Sequence, residues 1–252
     1  MIRYLYLRSV AGAILSVPFF LVFGLLLSLF HPIQVISRKT GGYHAHKRSV
    51  DILNLLLIKS LMILGVRVRF SGFETVPADR PLVIVANHQS GYDIPPVIWG
   101  FRSNHPKFIS KRDLGRYIPS ISYNLRHGGS VLIDRSNRLQ SVKEITSLGK
   151  YISENNYSAA IFPEGTRSRD GRVKRFKTAG LTSLIRSAPD AAIVPLAIKG
   201  SRNMRGGFAT LPLSFFVIEC RALDPVDIID DREPEESIRE VESMIREALQ
   251  EK

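Results

Sequence analysis

The chain opens on two apolar segments and then changes its period. Residues 10–30 are 21 consecutive positions without a charge, preceded by Arg3 and Arg8. As a helix this run is about 32 Å long, enough to cross the apolar core of a bilayer. Pro18 weakens a straight helix there. Leu29-Phe30-His31-Pro32 offers no small-residue cleavage site, so the segment is expected to be retained. Lys and Arg flank it on both sides, and charge therefore gives no clear orientation. Residues 50–66 form a second apolar segment, interrupted by Asp51, Asn54 and Lys59. On a helix these three fall within an arc of roughly 140°, which leaves a wide apolar face. Such a face suits a membrane interface or the flank of the first helix. His44 and His46 lie between the segments, in a stretch expected to be a solvated loop. A His-x-His pair needs a third ligand to hold a metal, and none is evident.

Beyond residue 66 short apolar runs alternate with longer helical patterns. Residues 67–70 alternate charged and apolar positions and read as an edge strand. Residues 82–86 are Val- and Ile-rich after Pro81 and read as a buried strand. Further strands are expected at 107–110, 130–133, 158–162, 191–198 and 215–220. Helices are expected at 139–152, 178–186 and 235–249, with partial helix over 113–126. The last helix carries Ile238, Val241, Ile245 and Leu249 on one face. This alternation predicts an α/β fold with a mixed, mostly parallel sheet flanked by helices. The expected division is a two-helix element over 1–66 and an α/β domain over 67–252.

Composition narrows the partners. The 252 residues suffice for one sizeable core, and the net charge is +12, from 35 basic and 23 acidic residues. Residues 231–252 hold eight acidic and four basic side chains, so the rest of the chain is more basic still. That balance points to anionic partners. Basic residues gather in two groups: Arg102, Lys107, Lys111, Arg112 and Arg116, then Arg167, Arg169, Arg172, Lys174, Arg175 and Lys177. The second group has only Phe176 among it, which is poor in aromatics for a single-strand nucleic-acid platform, and no zinc-finger spacing appears. With an apolar N-terminus nearby, anionic lipid headgroups fit better than nucleic acid. Cys220 is the only cysteine, so an internal disulfide and a cysteine-based zinc cluster are excluded.

Three expected strands end in polar groups: Asn87-His88, Asp134-Arg135 and Glu164 to Arg167. In a parallel sheet such ends share one edge, where α/β proteins bind ligands. His88 and Asp93 are five apart. On a continuous helix they would be rotated by roughly 140° and would not meet. A turn at Ser90-Gly91 lets Asp93 bond one imidazole nitrogen and leaves the other free as a base. The same Ser90-x-x-Asp93 spacing also fits a helix capping box, and both readings are open at this point. Arg135 and Arg167 are suited to bidentate phosphate binding, and Gly165 permits close backbone approach.

These residues resemble a known family. Asn87-His88-Gln89-Ser90-Gly91-Tyr92-Asp93 is similar to the His-x4-Asp motif of the glycerolipid acyltransferases. Phe162-Pro163-Glu164-Gly165-Thr166-Arg167-Ser168 matches their second signature. Residues 129–135 resemble an intervening Gly-x-x-Phe-Ile-Asp-Arg motif, with Leu132 in place of Phe. Val194-Pro195-Leu196 resembles the last. The closest branch is the bacterial 1-acyl-sn-glycerol-3-phosphate acyltransferases. The resemblance implies an α/β acyltransferase domain behind a membrane-binding two-helix element. It implies that His88 takes the proton of the free sn-2 hydroxyl of lysophosphatidic acid while Asp93 holds the imidazole. Glu164, Gly165, Thr166 and Arg167 would bind the glycerol phosphate, with Arg135 and Lys111 as further phosphate ligands. The donor implied is acyl-CoA or acyl-acyl-carrier protein, with no metal and no other cofactor. The place implied is the inner membrane, with the site facing the cytoplasm and the chain monotopic or single-span. Rival readings are an acyltransferase for another acceptor (a lyso-ornithine lipid, a lysophospholipid or glycerol 3-phosphate) and a non-catalytic scaffold binding anionic lipid.

Overall fold

The computed structural model describes residues 2–168, 170–204, 214–228 and 233–250, with side chains from residue 10 onward. Arg169, in the second basic group, lies outside the described residues. The strands among the described residues are β1 (Arg67–Ser71), β2 (Leu82–Ala86), β3 (Pro106–Lys111), β4 (Val131–Ile133), β5 (Ser158–Ile161), β6 (Ala192–Lys199), β7 (Val217–Ala222) and β8 (Val226–Asp227). They form one sheet in the order β1-β7-β6-β2-β5-β3-β4, with β8 paired to β6. Five ladders are parallel, and β6 meets β7 and β8 antiparallel. The sheet is thus mixed and mostly parallel, and β1 is the predicted edge strand. β2, β3, β4, β5 and β6 run the same way, so their C-terminal ends share one edge.

Side chains alternate across β2 and split the core in two. Leu82, Ile84 and Ala86 enter a cluster with Phe19, Val50, Leu64, Val97 and Phe101. Val83 and Val85 face the opposite cluster with Ile145, Leu148, Leu184 and Ile185. The first layer is built from α1 (Ile2–Ser60) and α2 (Ile94–Gly100). The second is built from α4 (Arg138–Asn155), α5 (Thr178–Ser187) and α6 (Pro234–Gln250). A short helix, α3 (Ile121–His127), leans on α1 at the first layer's edge. In α6, Ile238, Val241 and Ile245 are buried as the apolar stripe predicts, and Leu249 packs beside them.

The N-terminal region departs from expectation. The stretch holding His44 and His46 is helical rather than a solvated loop, and α1 runs from Ile2 to Ser60 through Pro18 and Pro32. Its one non-helical residue is Gly42, at φ 65° and ψ −152°, a conformation that only glycine adopts readily. His46 is buried, and its Nε2 pairs with Asn124 Oδ1 at 3.2 Å. Packing on the domain supplies what the local polar pattern lacks. Asn54 is buried too, its amide bonded back to Val50 O. By length and composition, Val10–Leu64 is long and apolar enough to cross a membrane. Much of it is bare: Ile14, Val17, Leu21, Leu25, Leu29, Ile33 and Ile36 are all exposed. One long apolar N-terminal helix compatible with membrane association is therefore present.

Candidate active site

β2 ends at Ala86, and Asn87 closes the strand by exchanging two hydrogen bonds with Ile198 of β6. The chain then turns through Ser90-Gly91 into a short 3-10 turn ending at Asp93. That turn brings residues 88 and 93 together. His88 Nδ1 lies 2.8 Å from Asp93 Oδ2. The same oxygen accepts the backbone amides of Gln89 and Ser90, at 2.8 and 2.9 Å. The capping-box and catalytic readings of Asp93 are therefore one geometry, since the Ser90 side chain and backbone complete the box. Asp93 is 0 % exposed, whereas the His88 side chain keeps 16 %. Nδ1 is occupied by the carboxylate, which leaves Nε2 as the ring nitrogen for substrate.

A second motif braces His88. The His88 ring stacks on Phe162 with centroids 4.2 Å apart. Glu164 is buried; one carboxylate oxygen accepts His88 N at 2.7 Å and the other accepts Lys174 N at 3.0 Å. Burial pushes the Glu164 carboxyl up, and these two amides pull against it. Each oxygen of Glu164 thus accepts one backbone amide. Ser168 N donates to His88 O at 2.8 Å, so the loop grips the backbone of His88 from both sides. Gly165, at φ 69°, carries the tight turn, and its carbonyl accepts Arg135 Nη1 from the end of β4.

Two cavities meet at His88. One, of about 420 Å³, lies on the α4 and α5 side, with Lys111, Arg135, Arg138, Gly165 and Lys177 in its wall. The other, of about 240 Å³, runs under α1 and is mostly apolar, lined by Phe23, Leu53, Leu57, Ile94, Ile121 and Leu125. Phe108, Leu114 and Ser110 touch both. The expected residues are distributed accordingly. Lys111 and Arg135 face the larger cavity, with Lys111 also paired to Asp113. Arg167 is exposed and lines the apolar cavity, and Thr166 is exposed beside it. Lys107 does not belong with the basic surface group: it is buried at 3 % exposure. Sequence reasoning passed over Lys177 and Arg138 as cavity residues. Lys177 was visible only as one of six clustered cations. Among the described residues no cluster of three or more His, Cys, Asp or Glu is placed to hold a metal ion.

A buried carboxylate that orients a partly exposed imidazole at the mouth of an apolar cavity is equipped to deprotonate an alcohol on a lipid-like substrate. The acyltransferase family profile matches residues 67–199, more than half of the chain, and the chain belongs to that family. Among curated relatives, a 1-acyl-sn-glycerol-3-phosphate acyltransferase of Limnanthes douglasii is 27% identical over 209 residues, covering 82% of this chain and 68% of its own. A protein of the same name from Haemophilus influenzae is 26% identical over 151 residues, 58% of each chain. The crystal structure of a 1-acyl-sn-glycerophosphate acyltransferase from Thermotoga maritima has the same fold, with a TM-score of 0.78 at 24% identity, covering 96% of this chain and 95% of its own.

Proposed function

We propose that this acyltransferase transfers a fatty acyl group from a thioester to the sn-2 hydroxyl of 1-acyl-sn-glycerol 3-phosphate, forming phosphatidic acid for phospholipid synthesis. The observation that carries the reading is the His88–Asp93 pair opening onto two largely apolar cavities, one of which has Lys111, Arg135, Arg138 and Lys177 in its wall. That pairing suits a substrate with a phosphate at one end and a hydrocarbon chain at the other. The relatives' names support the same acceptor.

In this reading His88 Nε2 removes the proton of the acceptor hydroxyl as its oxygen attacks the thioester carbonyl. Asp93 holds the proton on Nδ1 and stabilises the imidazolium. The tetrahedral intermediate collapses, the C–S bond breaks, and the imidazolium returns its proton to the departing thiolate. No covalent acyl-enzyme forms. Thr166 and Arg167, both exposed next to Gly165, serve as headgroup contacts together with Gly165, Arg135 and Lys111. Glu164 acts as a positioning residue, fixing His88 through its backbone. The donor is acyl-CoA or acyl-acyl-carrier protein, both anionic and both suited to the basic face. Residues 1–66 form the membrane-binding element and 67–252 the acyltransferase domain. The bare face of α1 seats in the inner membrane, monotopic or single-span, with the active site toward the cytoplasmic headgroups.

The test is an acceptor panel. Purified protein in lipid is given a palmitoyl thioester with 1-acyl-glycerol 3-phosphate, lysophosphatidylcholine, a lyso-ornithine lipid or glycerol 3-phosphate, and products are read by mass spectrometry. The reading expects phosphatidic acid as the dominant product. A dominant product from another acceptor overturns the acceptor assignment. Lipid binding without transfer to any acceptor overturns the enzyme.

A further inference from the structure

The turn 163–165 holds three groups at once. Glu164 takes the His88 amide. Gly165 O takes the Arg135 guanidinium. Pro163 O takes the backbone amide of Lys177 at 2.9 Å. The Lys177 side chain then folds back across the turn. A methyl group added at Gly165 would lie 3.1 Å from Lys177 Nζ and 3.3 Å from its Cδ and Cε. The glycine therefore serves a second purpose beyond its positive φ: it leaves room for the lysine stem. The ammonium sits in the wall of the His88 cavity.

Of the neighbouring cations, Arg138 shares the cavity wall from the start of α4, and the others are engaged or lie elsewhere. Lys111 pairs with Asp113. Lys174 Nζ donates to Arg167 O. Lys107 is buried away from the cavity. Arg167 lies toward the apolar cavity. Among the described residues neither Arg135 nor Lys177 has a carboxylate partner. Two unpaired cations thus flank one glycine, tied to the same turn that fixes the catalytic base.

Resting on the acceptor reading above, we infer that Lys177, with Arg135, binds the phosphate of the lyso acceptor and sets its distance from His88. Substrate chemistry selects the acceptor over the donor. In a 1-acyl-glycerol 3-phosphate, one carbon and one ester oxygen separate the sn-2 carbon from phosphorus. In a CoA or carrier-protein thioester, a whole pantetheine arm separates the reacting carbonyl from the nearest phosphate. A phosphate bound in the cavity that His88 opens into is therefore the acceptor's.

The experiment compares wild type with K177Q and K177R, varying acceptor at saturating donor and then donor at saturating acceptor. For K177Q the KM for the acceptor should rise about tenfold, the loss expected for one charge-assisted contact, with kcat and donor KM within about twofold. K177R should recover most of it. A raised donor KM with unchanged acceptor KM would move the lysine to the donor's phosphates and overturn the assignment, as would no change in either. Glycerol 3-phosphate then serves as a soluble phosphate probe in thermal melts of the same proteins. It should raise the midpoint of wild type and leave K177Q unmoved. That shift in a wild type that makes no phosphatidic acid would sink the acceptor reading alone; an equal shift in both proteins would sink the role of Lys177.

Discussion

At the end of β2 an acidic side chain is wholly buried among hydrogen-bond donors. Asp93 gathers an imidazole and two backbone amides around one oxygen. At the start of β3 a lysine is buried almost as deeply among rings. The Lys107 ammonium donates to Tyr43 Oη and lies 4.5 Å from the Tyr43 ring centroid and 4.8 Å from that of Tyr157. His105 stacks on both tyrosines. Burial first and Lys47 next push Lys107 down to about 7, against an opposing pull from Asp51. Burial, Lys47, Lys107 and His44 push His105 down to about 4. The difference teaches how neighbours treat a buried group. Three oriented donors meet the buried carboxyl group of Asp93, whereas burial beside another cation loosens the proton of Lys107. The rings around Lys107 lock the Gly42 kink of α1 onto the domain through Tyr43.

Mutations can break this contrast. His88→Ala should lower transfer about 10³-fold, because it removes the base, and should also lower the thermal midpoint, because Asp93 loses its imidazole and Phe162 its stacked ring. Asp93→Asn should lower kcat about 10²-fold and also cost stability, since the neutral carbonyl weakens all three bonds and the amide NH2 is buried without an acceptor; initial rates and melts read both. Glu164→Gln replaces one acceptor of a backbone amide by a donor and should destabilise by about 2 kcal/mol, seen in denaturant titration, with a smaller loss of kcat. Lys107→Met should leave transfer within about twofold and raise stability near pH 6 by about 1 kcal/mol.

The lysine also sets a pH signature. Its folded value of about 7 lies below the usual 10.5, so the unfolded chain holds more protons between them. Stability therefore rises with pH from about 7 toward 10. His105 adds a rise between about 4 and 6.5 by the same sign. Melts of Lys107→Met across pH 7 to 10 should be flatter than those of wild type.

Much of the catalytic end was legible because its geometry is local. Five residues and one Ser-Gly turn join His88 to Asp93, and parallel strands deliver the other motifs to the same edge. The tasks of Glu164 and Lys177 were not legible, because their partners are backbone groups brought near by the tertiary fold. Glu164 meets an amide 76 positions away. The helical course of residues 31–49 was hidden for a related reason. Two of its polar residues find partners outside the helix, Tyr43 on His105 and His46 on Asn124. Lys107 looked like surface charge, and only the rings from α1 and the approach to β5 reveal otherwise.

The central claim is that His88 activates the acceptor itself, with no side chain carrying the acyl group. Thiol release from a palmitoyl thioester, followed in one rapid-mixing run without acceptor and then with 1-acyl-glycerol 3-phosphate added, tests it most directly. The account predicts no stoichiometric burst before the acceptor arrives, an unmodified protein mass at that stage, and release matched by phosphatidic acid afterwards. A burst of one thiol per protein with the acyl group left on the chain would contradict it.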